Sequence, residues 1–309
     1  MNPAGGTELQ LSFLEESVDK SLLDQVQITT SIPEKIPLHP TKVNILWQKN
    51  SYDQPNLQGW FQNKENHKKY DWYVFNSHWN YEKFRMMFNI PTDRSVVIKN
   101  GLKNIIKKEQ FYKQGDKLRL IYHSTPWRGL NVLLGAMQLV NINCELDVYS
   151  STQIYGDKFK EANDSEYVEL YKQAEQLPNV NYIGYKPHDY ILKNLHTYDA
   201  FVYPNIWEET FCNCALESLA TGLYVATTNY GALFETCAEF PVYVPFEKDE
   251  KKLCQQFGHV INTIPEQLIQ KGCVDQLKFQ QRYFNYFYNW DKLAFNWTNF
   301  LKGVTSAKH

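Results

Sequence analysis

The stretch Glu208-Glu209-Thr210-Phe211-Cys212-Asn213-Cys214-Ala215-Leu216-Glu217-Ser218-Leu219-Ala220-Thr221-Gly222 decides how this chain folds. Before it, the run Ala200 to Tyr203 reads as a strand that stops at Pro204. After it, Leu223 to Ala226 reads as another strand. A helix through about Ala220 lies between them, and Gly222 is the natural residue just past its end. Strand, loop, helix, strand is a βαβ unit, which implies parallel strands with the helix packed on their face. Glu209 then lies in the loop at the carboxyl end of a strand, and Glu217 inside the helix. Open α/β sheets bind ligands at that edge. A helix N-terminus there offers free N–H groups and the positive end of its dipole to a diphosphate.

The alternation extends upstream. Strands are predicted at Leu118–Tyr122, Leu146–Tyr149 and Val180–Ile183, and helices at Leu130–Leu139, Ser165–Gln176 and His188–Leu195. Helices also close the chain, at Glu250–Thr263 and from Glu266 onward, where Trp290, Leu293, Ala294, Trp297 and Leu301 form an apolar stripe. The first half reads as an amphipathic helix carrying Leu9, Leu11, Phe13, Leu14 and Val18, followed by short apolar runs at 26–32, 43–47, 72–75 and 96–98. Such runs, bounded by turn-forming or charged residues, are typical of buried parallel strands. A helix from Tyr81 to Phe88 precedes Pro91. From Asn100-Gly101 to Lys117 the pattern breaks, and the linker is placed there. Length agrees, since 309 residues exceed what one core usually supports. The domains are read as 1–105, 106–285 and a terminal helix, 286–309, that crosses back to the first.

Composition excludes several classes. Net charge is −2, from 32 basic and 34 acidic residues, so no nucleic-acid partner is expected. The basic cluster Lys103 to Lys108 reads as a solvated linker or helix face. The six cysteines match no zinc-ligand spacing and read as reduced thiols of a cytoplasmic protein. No apolar run of spanning length occurs, and the N-terminus lacks signal-peptide character, while peripheral membrane contact stays open. The 21 Tyr, 18 Phe and 8 Trp supply ring surface that suits sugars and bases, although such rings serve more often as core.

Glu209, Phe211, Glu217, Ala220, Gly222 and Val225, with seven residues between the two acids, resemble the signature of the family-4 retaining glycosyltransferases. Gly231 and Glu235 fit its continuation. The resemblance spans about residues 1 to 301 and is strongest over 118–235. It implies a GT-B fold: α/β, with two Rossmann-like domains whose parallel sheets face each other across a cleft. It implies that Glu209 contacts the donor sugar, that Glu217 bonds the ribose, and that the backbone at Thr210 and Phe211 holds the phosphates. Arg128 stands where the family places a phosphate-neutralising cation, and its guanidinium suits that task. His123 or Ser124 stands where the family often has a further Arg. Tyr185-Lys186, after the strand ending near Gly184, resembles the loop beside the nucleotide base. Val97-Ile98-Lys99-Asn100-Gly101 resembles the end of the family's first domain. Cys212 departs from the family's usual Gly.

Gly5 and Gly6 resemble the family's glycine-rich donor loop, but the strand that normally precedes it is missing from the reading. After Val43–Trp47, where the family often has a His, this chain has Gln48 and Lys49, and both are acceptor-side candidates. His78 reads as structural or interdomain. The mechanism implied is front-face transfer with retention, since no nucleophile matches the paired carboxylates of retaining glycosidases. Domain closure would exclude water. No D-x-D motif offers a bridging metal, so neither metal nor other cofactor is expected. The donor is a UDP- or GDP-linked sugar, and the acceptor a glycan or a lipid-linked molecule. The competing reading is a non-catalytic sugar-nucleotide or glycan binder on a decayed GT-B scaffold. An epimerase or a phosphorylase stays open within the fold. A nicotinamide-dependent oxidoreductase lacks its G-x-G-x-x-G fingerprint.

Overall fold

The computed structural model describes residues 5–306, so the outer domain limits 1 and 309 lie outside it. The chain forms two compact units. The N-terminal unit gathers Gly6–Lys103, the strip Glu208–Cys212 and the chain from Phe287 onward; the C-terminal unit contains Asn104–Trp207 and Asn213–Tyr286.

The N-terminal unit runs α1 (Gly6–Ser17), α2 (Lys20–Leu23), β1 (Val26–Thr30), β2 (Val43–Gln48), α3 (Pro55–Gln62), β3 (Trp72–Phe75), α4 (His78–Phe88) and β4 (Ser95–Val97). Its sheet is four-stranded and parallel, in the order β1-β2-β3-β4. Among the described residues no strand precedes α1, and β1 is one edge of the sheet, with β4 the other. Helix α4 starts earlier than its apolar pattern suggests because the Ser77 side chain caps it, accepting from the Asn80 N–H. It ends on Asn89, in the left-handed conformation at φ 52°.

The C-terminal unit runs β5 (Leu118–Tyr122), α5 (Leu130–Met137), β6 (Cys144–Val148), α6 (Asp157–Asn163), α7 (Val168–Gln176), β7 (Val180–Tyr182), α8 (His188–Leu195), β8 (Ala200–Tyr203), α9 (Asn213–Thr221), β9 (Tyr224–Thr228), α10 (Leu233–Cys237), β10 (Val242–Val244), α11 (Glu250–Leu268) and α12 (Cys273–Phe287). Six parallel strands take the order β10-β9-β8-β5-β6-β7. The chain steps outward from β5 to β7, returns to the other side of β5, and steps outward again. The strand order therefore reverses between β5 and β8. Helix α9 closes with a Schellman motif, in which Gly222 N–H bonds Leu219 O and Leu223 N–H bonds Ser218 O, with Gly222 at φ +97°.

The last helix, α13 (Trp290–Ser306), packs on the N-terminal sheet. Strand alternation explains how. Every residue of β2 is buried. Ile45 and Trp47 join Val74, Leu14 of α1, and Trp290, Trp297 and Leu301 of α13 on one face. Leu46 joins Tyr73, Phe75, Phe61 of α3 and Phe84 of α4 on the other. Successive side chains of a strand point to opposite faces, so a strand covered on both sides buries residues of both faces, here four apolar ones and the hydrogen-bonded Asn44 and Gln48. The Trp47 and Trp297 rings meet nearly edge-on, 4.7 Å apart.

Two further sequence expectations are corrected: α11 runs unbroken through Pro265 to Leu268 instead of stopping at Thr263, and the basic cluster from Lys103 to Lys108 is not wholly solvated. Lys108 is not solvated. It is 6% exposed, and its ammonium pairs with Asp199 at 3.1 Å and donates to Tyr198 O at 2.7 Å. A buried lysine needs such partners to offset lost hydration. All six cysteines are free. No helix among the described residues is long and apolar enough to cross a membrane.

Candidate functional site

In the C-terminal unit, the loops after β5, β6 and β7 meet at the carboxyl edge of the sheet. Ligands of doubly wound sheets bind at that edge, where the strand order reverses. Ser124, Tyr185 and Lys186 line one cleft together with His123, Tyr149 and Ser151. Arg128 is half-buried and ends a 3-10 turn, Pro126–Arg128, in the β5 loop. Gly129 follows at φ +107°. A Cβ there would lie 2.0 Å from Pro204 O, so only glycine lets the β5 loop approach the backbone after β8 this closely. The two loops that flank the reversal are thereby fastened together.

Two neighbouring residues of α9 are each held by a histidine. Glu217, 6% exposed, accepts a hydrogen bond at Oε1 from His188 Nε2 at 2.8 Å. Burial pushes the His188 pKa down, but the charge and hydrogen bond of Glu217, helped by Asp189, outweigh it and hold the pKa above its ordinary value. Ser218 Oγ donates to Cys214 O at 2.8 Å and so accepts from His123 Nε2 at 2.9 Å. This leaves His123 Nδ1 without its proton. Burial pushes the His123 pKa down to about 4, so the ring is neutral at physiological pH. His123 therefore brings no charge to the place where the family often has a further Arg.

The strip Glu208–Cys212 belongs to the N-terminal unit. Helix α9 opens at Asn213, after Thr210 and Phe211. The Thr210 hydroxyl donates to Lys49 O at 2.8 Å and accepts from Asn76 Nδ2 at 3.2 Å, while Ser77 Oγ donates to Thr210 O at 2.7 Å. Phe211 is buried against Tyr288, and Glu209 is 3% exposed. Cys212 takes φ +80°, so it keeps the left-handed backbone that suits glycine.

Gln48 and Lys49 stand at the carboxyl end of β2. The Gln48 amide oxygen accepts from the N–H groups of Lys49 and Asn50, both at 3.0 Å. Lys49 is 7% exposed. Its Nζ lies 3.6 Å from the Trp47 ring centroid and donates to Asn100 Oδ1 at 2.7 Å. Among the described residues no carboxylate pairs with it. Burial pushes its pKa well down, opposed by the charge of Glu8. The Asn100-Gly101 pair has a structural part: Asn100 receives Lys49, and Gly101 exchanges two 2.8 Å hydrogen bonds with the Gln10 amide. Gly6 opens α1, with Gly5 buried before it, and His78 is exposed at the start of α4.

Sequence reasoning did not find His188 or Asn76. Each acts on a residue far along the chain, and no local pattern announces such a contact. A larger cavity of about 330 Å³ lies among Tyr224, Val242, Cys273 and Gln280. It sits at the amino ends of β9 and β10, opposite the edge where such sheets bind ligands, and is not assigned to the site. Among the described residues no three His, Cys, Asp or Glu side chains cluster as metal ligands.

Residues 103–253 match the family model of glycosyl transferases group 1. No curated protein matches the chain by sequence. Solved structures resemble it in fold. A glycosyltransferase from Rickettsia africae ESF-5 superposes with TM-score 0.66 at 15% identity, over 98% of this chain and 82% of that one. Sucrose-phosphate synthase from Thermosynechococcus elongatus gives 0.67 at 14% identity, over 97% and 79%. Anabaena HepE, crystallised with UDP and glucose, gives 0.64 at 14% identity, over 85% and 72%.

Proposed function

We propose, from the premise that residues 103–253 are a glycosyl transferases group 1 domain, that the protein transfers a sugar from a nucleoside-diphosphate sugar to a hydroxyl acceptor with retention at the anomeric carbon. The observation that carries the reading is the reversal point of the C-terminal sheet. There a guanidinium, a buried carboxylate on α9 and a cleft walled by tyrosines occupy the edge where a nucleotide would bind.

In this reading the Arg128 guanidinium takes the diphosphate, Glu217 accepts from the ribose hydroxyls, and Tyr185 and Lys186 border the base. Ser124, which lines the same cleft, also serves the donor. Glu209 takes hydroxyls of the donor sugar, and the backbone of Thr210 and Phe211 serves the phosphates, both by resemblance. Gly5 and Gly6 take the part of the family's glycine-rich loop, and Gln48 and Lys49 serve the acceptor. The bond between the anomeric carbon and the diphosphate breaks, and the acceptor oxygen bonds the same face of that carbon. The acceptor proton passes to the departing diphosphate. The protein contributes orientation and charge stabilisation. The absence of a D-x-D motif supports transfer without a metal. UDP is the favoured base carrier, because the HepE relative was crystallised with UDP and glucose.

The test is incubation of the full chain with UDP-glucose, UDP-N-acetylglucosamine and GDP-mannose in EDTA, with glycan and lipid-linked acceptors. Released nucleoside diphosphate is quantified, and proton NMR reads the new anomeric centre. Release in EDTA with retained configuration is expected; inversion, or no release from any donor, refutes the proposal. A second reading, donor binding without transfer, is favoured by Lys49, which is buried and tied to Asn100 where the family has His. Binding with no turnover selects it.

A further inference from the structure

The structure assigns His188 as a positioning residue: its Nε2–H holds one oxygen of the Glu217 carboxylate so that the other is left to the ribose hydroxyls of the donor. The inference rests on the reading of Glu217 given above and adds a residue to it.

Three observations support it. First, Glu217 Oε1 receives His188 Nε2 at 2.8 Å, while among the described residues Oε2 takes no hydrogen bond. A carboxylate can accept about four hydrogen bonds, so most of its capacity is unused. Burying a carboxyl group this far with a single partner is costly unless another donor completes its shell. Two adjacent ribose hydroxyls are donors of the right number and spacing. Second, His188 opens α8 two residues after Lys186, which lines the cleft. The histidine therefore arrives on the same loop as the cleft wall, and its position and that of the cleft are set together. Third, the neighbouring α9 residue is fixed in the same way, Ser218 Oγ accepting from His123 of the cleft wall at 2.9 Å. Adjacent residues of α9 are thus bonded by histidines from the loops after β5 and β7. The turn that presents Glu217 is held at two consecutive residues.

A glutamate side chain has three rotatable bonds, and freezing it on ligand binding costs rotamer entropy. His188 removes that cost before the donor arrives. It does so in either charge state, because the neutral ring can keep its proton on Nε2.

The test is isothermal titration of the full chain with UDP and with 2′,3′-dideoxy-UDP, in wild type, Glu217→Gln, His188→Ala and His188→Gln. Wild type is expected to prefer UDP by about tenfold or more, the size of one or two hydrogen bonds to a charged group. His188→Ala should bring that ratio down several-fold while leaving the affinity for dideoxy-UDP unchanged. His188→Gln, whose amide can donate to Oε1, should restore part of the ratio. A residue that merely stabilises the fold would weaken both ligands equally, and that outcome overturns the inference. If His188→Ala does not fold, His188→Gln decides: a ratio below that of wild type, with dideoxy-UDP affinity intact, supports the inference, and an unchanged ratio overturns it. A ratio lost in Glu217→Gln but intact in His188→Ala overturns the inference alone. A wild-type ratio near one, or no binding of UDP, overturns the ribose reading of Glu217 as well.

Discussion

Replacing Gly129 by alanine should cost about 2–5 kcal/mol, and the figure comes from two separable sources. Gly129 has φ +107°, a left-handed backbone that costs an alanine about 1–2 kcal/mol. In addition the new Cβ would stand 2.0 Å from Pro204 O and 2.9 Å from Pro204 C. Both atoms are backbone, so a whole loop must shift, and overpacking of this kind typically costs about 1–3 kcal/mol more. Two other glycines isolate the sources. Gly115 shares the positive φ, +93°, but has nothing within 4 Å of its Cβ, so Gly115→Ala should cost only about 1–2 kcal/mol. Gly59 lies inside α3 at ordinary φ with nothing within 4 Å, so Gly59→Ala should stabilise by about 0.4–1 kcal/mol. Urea unfolding of the three variants, followed by tyrosine and tryptophan fluorescence, measures the series. Because Gly129 joins the two loops beside the strand reversal, its variant should also lose nucleotide affinity. If Gly129→Ala unfolds within about 0.5 kcal/mol of wild type and binds nucleotide normally, the fastening of these loops is wrong.

Three further outcomes are expected. Cys212→Gly should stabilise the protein by up to about 1 kcal/mol, since it relieves a left-handed non-glycine residue at φ +80°, and thermal unfolding reads the sign. In Lys49, burial holds the folded pKa well below the unfolded value, so the unfolded chain binds more protons and stability rises with pH up to the ordinary lysine range. Lys49→Met should flatten that rise in denaturation measured between pH 7 and 10, and transfer to the acceptor should fall. His123 has its pKa pushed down from 6.5 to about 4, so its contribution is full above 6.5 and is lost as pH falls toward 4, on the order of 3 kcal/mol in all. His123→Gln should unfold less steeply with acid than wild type over that window, and a parallel pair of curves would contradict the buried neutral imidazole.

Elements whose signal is local could be read from the sequence. The run Ala200 to Tyr203, closed by Pro204, and the helix His188 to Leu195, opened by Pro187, have the boundaries their residues suggested. The stripe from Trp290 to Leu301 is buried as its spacing implied. Elements that depend on neighbours could not. Strand β10 has only three residues between prolines and is recognisable only through its pairing with β9. Helix α3 carries few apolar residues, and only Leu57 and Phe61 are buried. The segment before α7 splits into α6 and a 3-10 turn that no period predicts. The candidate site divides in the same way. Arg128, Glu217, Tyr185 and Lys186 are legible as candidates through their resemblance to family motifs, which are local in sequence. That His188 bonds Glu217, or that Asn100 receives Lys49, depends on chain crossings with no sequence period. Cys212 lies between these cases, because its departure from glycine is visible in sequence and its retained φ only in the structure.

The central claim is a nucleoside-diphosphate site on the C-terminal unit, and titration calorimetry of the full chain with UDP and with GDP in EDTA tests it most directly. The account predicts saturable one-to-one binding of one of them, weakened at least about tenfold in both Arg128→Ala and Glu217→Ala, the loss of one charge-assisted contact. Absence of heat with either nucleotide, or binding that both variants leave untouched, would contradict it.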